Sequence, residues 1–130
     1  MKILIKMFFC ALVGVLTLSS CSKSDENKIT LTTSMVVGRW DVTYAEQDGK
    51  SINIPAGSIY MKLDEDNTYV TRFFTNYYVG KYKLQGDTVI GTTLDPITER
   101  YQFVLLNGDY AEINYSNSEG LKMKFKATKR

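Results

Sequence analysis

The sequence predicts an all-β protein: an eight-stranded antiparallel up-and-down barrel, preceded by a signal peptide and a flexible tether. Three observations carry this reading. Turn signals recur about every ten residues from Asp66-Asn67 onward, through Asn76, Gly86-Asp87, Asp95-Pro96, Asn107-Gly108 and Ser116 to Gly120, a spacing that suits short antiparallel strands. Between them apolar and polar residues alternate, the period of strands with one buried face. No segment sustains a 3.6-residue period, and only residues 29–37 have room for a short helical turn.

The 44% hydrophobic and 12% aromatic content is that of a folded chain, and 130 residues suffice for one domain with a core. We divide the chain into a signal peptide at 1–20, a tether at 21–33 and the barrel domain at 34–130.

Lys2 and Lys6 head an apolar run over residues 7–18. Twelve helical residues reach about 18 Å, short of a hydrocarbon core of about 30 Å. The run therefore reads as a secretory signal and not as a spanning anchor. It ends in Leu18-Ser19-Ser20-Cys21, an aliphatic residue and two small ones before a cysteine. This resembles the lipobox of bacterial lipoproteins. The resemblance implies cleavage before Cys21, attachment of diacylglycerol to its thiol and acyl chains such as palmitate as the membrane anchor; two or more chains anchor stably. It implies a lipoprotein in the envelope of a Gram-negative bacterium, on its outer membrane, facing the periplasm or the cell surface.

Processing changes the charge balance. Loss of Lys2 and Lys6 from sixteen basic residues leaves as many bases as acids, so the net charge falls from +2 to zero. That balance offers nothing to nucleic acid. Cys10 leaves with the signal peptide and Cys21 is acylated, so no disulfide is expected. Residues 22–28, Ser-Lys-Ser-Asp-Glu-Asn-Lys, read as a flexible tether. Their acidic pair resembles surface-export signals of some lipoproteins; a plain solvated linker is the equal alternative.

Strands are expected at about 37–46, 58–64, 68–74, 77–84, 88–92, 98–106, 110–115 and 121–128. Alternation sends Trp40, Val42 and Tyr44 inward from the first and Ile59, Met61 and Leu63 from the second. Tyr78, Tyr82 and Leu84 point inward from the fourth, Tyr101, Phe103 and Leu105 from the sixth. Ala111, Ile113 and Tyr115 follow from the seventh, and Leu121, Met123, Phe125 and Ala127 from the last. The strands at 68–74 and 88–92 carry no clear face. Lys122, Lys124 and Lys126 fall on the outer face, where they solubilise it or guard an edge. Short turns throughout favour a closed barrel over a sandwich, because closure removes both edges.

Gly38-Arg39-Trp40 opens the first strand after the short helical segment. Gly-x-Trp at the head of an eight-stranded meander resembles the lipocalin (calycin) signature, and Leu63 to Tyr69 resembles the acidic-turn hairpin of bacterial lipocalin-like lipoproteins. The resemblance covers about residues 35–128 and implies that Gly38 and Trp40 close one barrel end. It also implies that a late basic residue, Lys124, Lys126 or Arg130, packs over the indole, and that the loop at 47–57 covers the opposite mouth. Gly108-Asp109-Tyr110 lacks the threonine of the family's other motif.

The inward residues nearest the mouth are Tyr44, Ile59, Phe73, Tyr78, Tyr101, Tyr115 and Leu121. Five aromatic rings there suit a small apolar or amphipathic ligand. A barrel of eight strands is also narrow enough to be filled by its own side chains, and an accessory module binding another envelope protein through its loops is the alternative function. The tether joins the Trp40 end, so the mouth is expected to point away from the membrane. Without histidine no Ser-His-Asp or Cys-His triad and no histidine metal site is available. The run Asp64-Glu65-Asp66 has Tyr69 and Thr75 where a calcium loop needs glycine and glutamate. No cofactor and no metal is expected, and a binding module is expected in preference to an enzyme.

Overall fold

The computed structural model describes residues 29–130, so the signal peptide, Cys21 and residues 22–28 lie outside the described residues. A short helix, α1 (Thr33–Val36), leads into nine strands: β1 (Gly38–Gln47), β2 (Lys50–Asn53), β3 (Ile59–Leu63), β4 (Thr68–Phe73), β5 (Asn76–Gln85), β6 (Thr88–Thr93), β7 (Thr98–Asn107), β8 (Tyr110–Asn117) and β9 (Lys122–Lys129). All neighbours are antiparallel. Strands β1 and β3 to β9 follow one another around the ring, and β1 pairs with β9 to close it. The fold is the expected eight-stranded up-and-down barrel.

The ninth strand, β2, was not expected. Asp48 and Gly49 both take positive φ, 54° and 81°, and make the two-residue turn that folds Lys50–Asn53 back on Tyr44–Gln47. Residues 47–57 thus extend β1 outward as a hairpin. Ile54 anchors its base in the core.

Two bulges overturn two inward assignments. In β1 the register against β9 shifts between Val42 and Tyr44, so Val42 and Thr43 together oppose one residue. Val42 and Ala45 are buried while Tyr44 turns to the outer face, where the Lys126 ammonium lies 4.7 Å from its ring centre. In β7 the shift between Phe103 and Leu105 exposes Leu105 and turns Leu106 toward the core. Alternation alone predicted both residues to be inside, because a bulge resets the period without marking the hydrophobic pattern.

The two unclear strands resolve. Tyr69, Thr71 and Phe73 point inward from β4, and Val89, Gly91 and Thr93 from β6. The β4–β5 turn falls at Phe74-Thr75, one residue before Asn76, with Phe74 at φ 57°.

The closed end is built around Trp40. Its indole Nε1 donates to the Val36 carbonyl oxygen at 3.0 Å, and its ring meets Phe103 edge-on at 5.5 Å. Leu31 and Val36 are buried beside it, and the Leu31 amide donates to Gly86 in the β5–β6 turn. The basic residue over the indole is Lys129, with Nζ 5.4 Å from the ring centre and donating to Met35 O at 3.2 Å. Lys124 and Lys126 are outward on β9, and Arg130 instead lies 2.7 Å from Asp41. Gly38, at φ 131°, lets the Lys129 stem pass where a Cβ would press on it.

Candidate functional site

The interior narrows to one polar cluster near the mouth. Glu99 is the second residue of β7, and alternation with Tyr101 and Phe103 points it into the barrel, where it is 3% exposed. Tyr69, from β4, donates its hydroxyl to Glu99 Oε1 at 2.7 Å. Tyr115, from β8, donates to Oε2 at 2.6 Å. Asn117 Nδ2 donates to the Tyr115 oxygen at 3.1 Å, and the Thr71 and Tyr101 hydroxyls share a hydrogen bond of 2.8 Å just below.

Space for this cluster comes from an absent side chain. Gly91 on β6 pairs directly with Glu99, and a Cβ at Gly91 would collide with the Tyr69 ring and hydroxyl. Glycine here serves a close approach, not a turn.

Burial pushes the Glu99 carboxyl above the ordinary glutamate value, and the Tyr115 and Tyr69 hydroxyls pull it back by favouring the ionised form. Burial, then the adjacent Glu99 charge, holds Tyr69 and Tyr115 well above the usual phenol range, so both stay donors. Tyr101, wholly enclosed, is raised for the same reasons.

Above Glu99 opens a cup of about 170 Å³. Four of the expected mouth residues, Phe73, Tyr78, Tyr115 and Leu121, line it, with Ile97, Thr93, Asn76, Asn117 and Glu119 completing the wall and rim. Tyr101 and Ile59 lie in the closed-packed core and do not line it, and Tyr44 is outside the barrel. Residues 47–57 contribute nothing to the cup, so this connection does not roof it. Glu99 was missed in the sequence, although the alternation that sent Tyr101 inward sends Glu99 there too.

Below the cup the barrel is filled. Tyr115 contacts Phe73 at 5.3 Å, Tyr101 at 5.0 Å and Phe125 at 5.4 Å between ring centres. The larger concavities lie outside. A groove of about 600 Å³ crosses the outer faces of β7, β8 and β9 beneath the β1–β2 turn, with Arg100, Gln102, Asn114, Lys122 and Lys124 on its floor. A second, of about 420 Å³, continues past Tyr44, Glu112 and Lys126.

Among the described residues no three His, Cys, Asp or Glu side chains gather as a metal site. No helix among them is long and apolar enough to cross a membrane.

No family model matches the chain, and no curated protein matches it. Among solved structures it is similar to an uncharacterized protein from Bacteroides eggerthii, at 17% identity and a TM-score of 0.56, covering 72% of this chain and 98% of that one. At this identity the likeness concerns the fold alone.

Proposed function

We propose that the chain is a lipoprotein of the Gram-negative envelope, tethered to the outer membrane through lipidated Cys21, whose barrel mouth binds a small amphipathic ligand without catalysing its conversion. The observation that carries the binding reading is Glu99: a carboxylate set into the wall of an aromatic cup that opens to solvent. Burying a carboxylate costs several kcal/mol unless compensated, and the two phenols compensate this one by hydrogen bonding without supplying a cation. The packed rings below the cup exclude long acyl chains. A cup of about 170 Å³ is also smaller than drug-sized sites, which span about 300–1,000 Å³, and is close to the benzene-sized cavities of about 150 Å³.

Residue 29 enters beside the closed end, where Ile29 packs against the core. The mouth then points away from the membrane, open to solutes. Ligand-observed NMR on the full-length protein in nanodiscs, with n-butanol and benzyl alcohol as probes, tests the reading. Saturation transfer that disappears in Ile97→Trp, which fills the cup, supports it; no transfer to any small amphiphile refutes it.

A second reading, contact with another envelope protein, has the outer groove as its support. A polar, mixed-charge floor beneath the β1–β2 turn suits an extended polar chain. Site-specific photo-cross-linking in cells from position 102, compared with position 78, separates the two. A discrete adduct from 102 alone favours the protein partner.

A further inference from the structure

The described part of the barrel has two carboxylates less than a tenth exposed, and it treats them differently. Asp41, 4% exposed, sits between two guanidiniums: Arg39 Nη2 is 3.1 Å from Oδ1 and Arg130 Nε is 2.7 Å from Oδ2. The second of these is a charge contact, since among the described residues no donor is in line with Oδ2. Glu99 accepts hydrogen bonds from two phenols but makes no ion pair with any described lysine or arginine. Its negative charge is shared by hydrogen bonding and has no cationic partner among the described residues. The wall of the cup above it contains no basic residue and a second carboxylate, Glu119, at its rim.

Resting on the mouth-cup reading, we infer that the ligand is a small organic ammonium ion. The ammonium N–H groups donate to the free lone pairs of the Glu99 carboxylate, which retains acceptor capacity after two phenols. Phe73, Tyr78 and Tyr115 line the same cup, an aromatic wall of the kind that attracts a cation, and Leu121 and Ile97 beside them suit its alkyl portion. A bare metal ion fits poorly, because the phenols around Glu99 point protons, not lone pairs, into the cluster. The volume admits a chain of about four to six carbons, on the scale of benzene-sized cavities.

The test is calorimetric titration of the full-length protein in nanodiscs with n-butylammonium and with n-butanol, its neutral near-isostere. We expect n-butylammonium to bind roughly ten- to a hundredfold more tightly than n-butanol, the ratio expected of a hydrogen-bonded charge. In Glu99→Gln that preference is lost while n-butanol binding persists. Ile97→Trp, which keeps the carboxylate and fills the cup, loses both ligands; if Glu99→Gln fails to fold, the wild-type comparison decides, and equal affinity for n-butylammonium and n-butanol overturns the ammonium assignment. Equal affinity for the two ligands, unchanged in Glu99→Gln, overturns the ammonium assignment and leaves the cup as a binding site. Absence of binding by either ligand overturns the cup reading and the assignment together.

Discussion

Gly91 and Glu99 face each other across the β6–β7 pair, and the hydrogen in place of a side chain at Gly91 is what lets the Tyr69 phenol reach the Glu99 carboxylate. The cluster therefore depends on one strand glycine. Gly91→Ala forces the Tyr69 ring aside, adding overpacking to loss of a hydrogen bond to a charged group. We expect a loss of about 3 kcal/mol, measured by urea unfolding with Trp40, the single tryptophan, as the fluorescent reporter. A loss under about 0.5 kcal/mol would show that the ring has another place to go.

Tyr69 and Glu99 act as a unit. Tyr69→Phe is expected to cost about 2 kcal/mol in the wild-type background, because a partly stripped buried carboxylate remains. In a Glu99→Gln background the same change should cost less than about 1 kcal/mol, a coupling that a double-mutant cycle measures directly. Equal costs in both backgrounds would mean the hydrogen bond is energetically idle.

Glu99 also gives stability a distinct pH dependence. Its carboxyl is raised above the ordinary 4.5, so the folded state holds this proton more tightly than the unfolded chain. The benefit is full below about 4.5 and is lost as pH rises through the raised folded value. The facing groups are Tyr69 from β4, Tyr101 from β7 and Tyr115 from β8, all held neutral; Glu119 stands at the rim of the cup. Relative to Glu99→Gln, the wild-type protein should therefore lose stability with increasing pH over that window. Paired urea titrations at several pH values check this, and a gain would reverse the sign of the burial effect.

The two tyrosines that the bulge separates should behave oppositely. Tyr44→Ala removes a ring from the outer surface and should cost under about 1 kcal/mol, with ligand affinity unchanged. Tyr101→Ala opens the core and should cost about 3–5 kcal/mol, as for a buried aromatic. Thermal or urea unfolding of both variants decides it; a large cost at Tyr44 would place that ring inside after all.

Phe74 stands at φ 57° in a two-residue hairpin turn and is 50% exposed. A left-handed backbone is unfavourable for a bulky side chain by about 1–2 kcal/mol, and little packing offsets it here. Phe74→Gly should stabilise the barrel by about 0.5–1 kcal/mol. Destabilisation in the urea midpoint would show that the exposed ring makes contacts worth more than the strain.

Much of this molecule was readable as alternation. Ile59, Met61 and Leu63 of β3, Ala111, Ile113 and Tyr115 of β8, and the lysine row of β9 stand on the faces their period assigned, because unbulged strands keep a strict two-residue repeat. Tyr44 and Leu105 did not, because one inserted residue flips all that follows and leaves no compositional trace. The site was half legible for a different reason. Phe73, Tyr78, Tyr115 and Leu121 were found by looking for large inward side chains near one end. Glu99 escaped because a search for apolar residues passes over a carboxylate on the same face. Its partner Gly91 escaped because a glycine in a short strand reads as weakness until a ring from another strand is seen lying over it.

Carboxyl-carbon NMR of Glu99 in the full-length protein, titrated with acid in the absence and presence of n-butylammonium, shows whether this buried carboxylate receives a cation. The protonation midpoint is expected above the ordinary glutamate value, moved downward by n-butylammonium, which favours the ionised form, and left in place by n-butanol. A midpoint at or below the ordinary value, or the same response to both compounds, would contradict it.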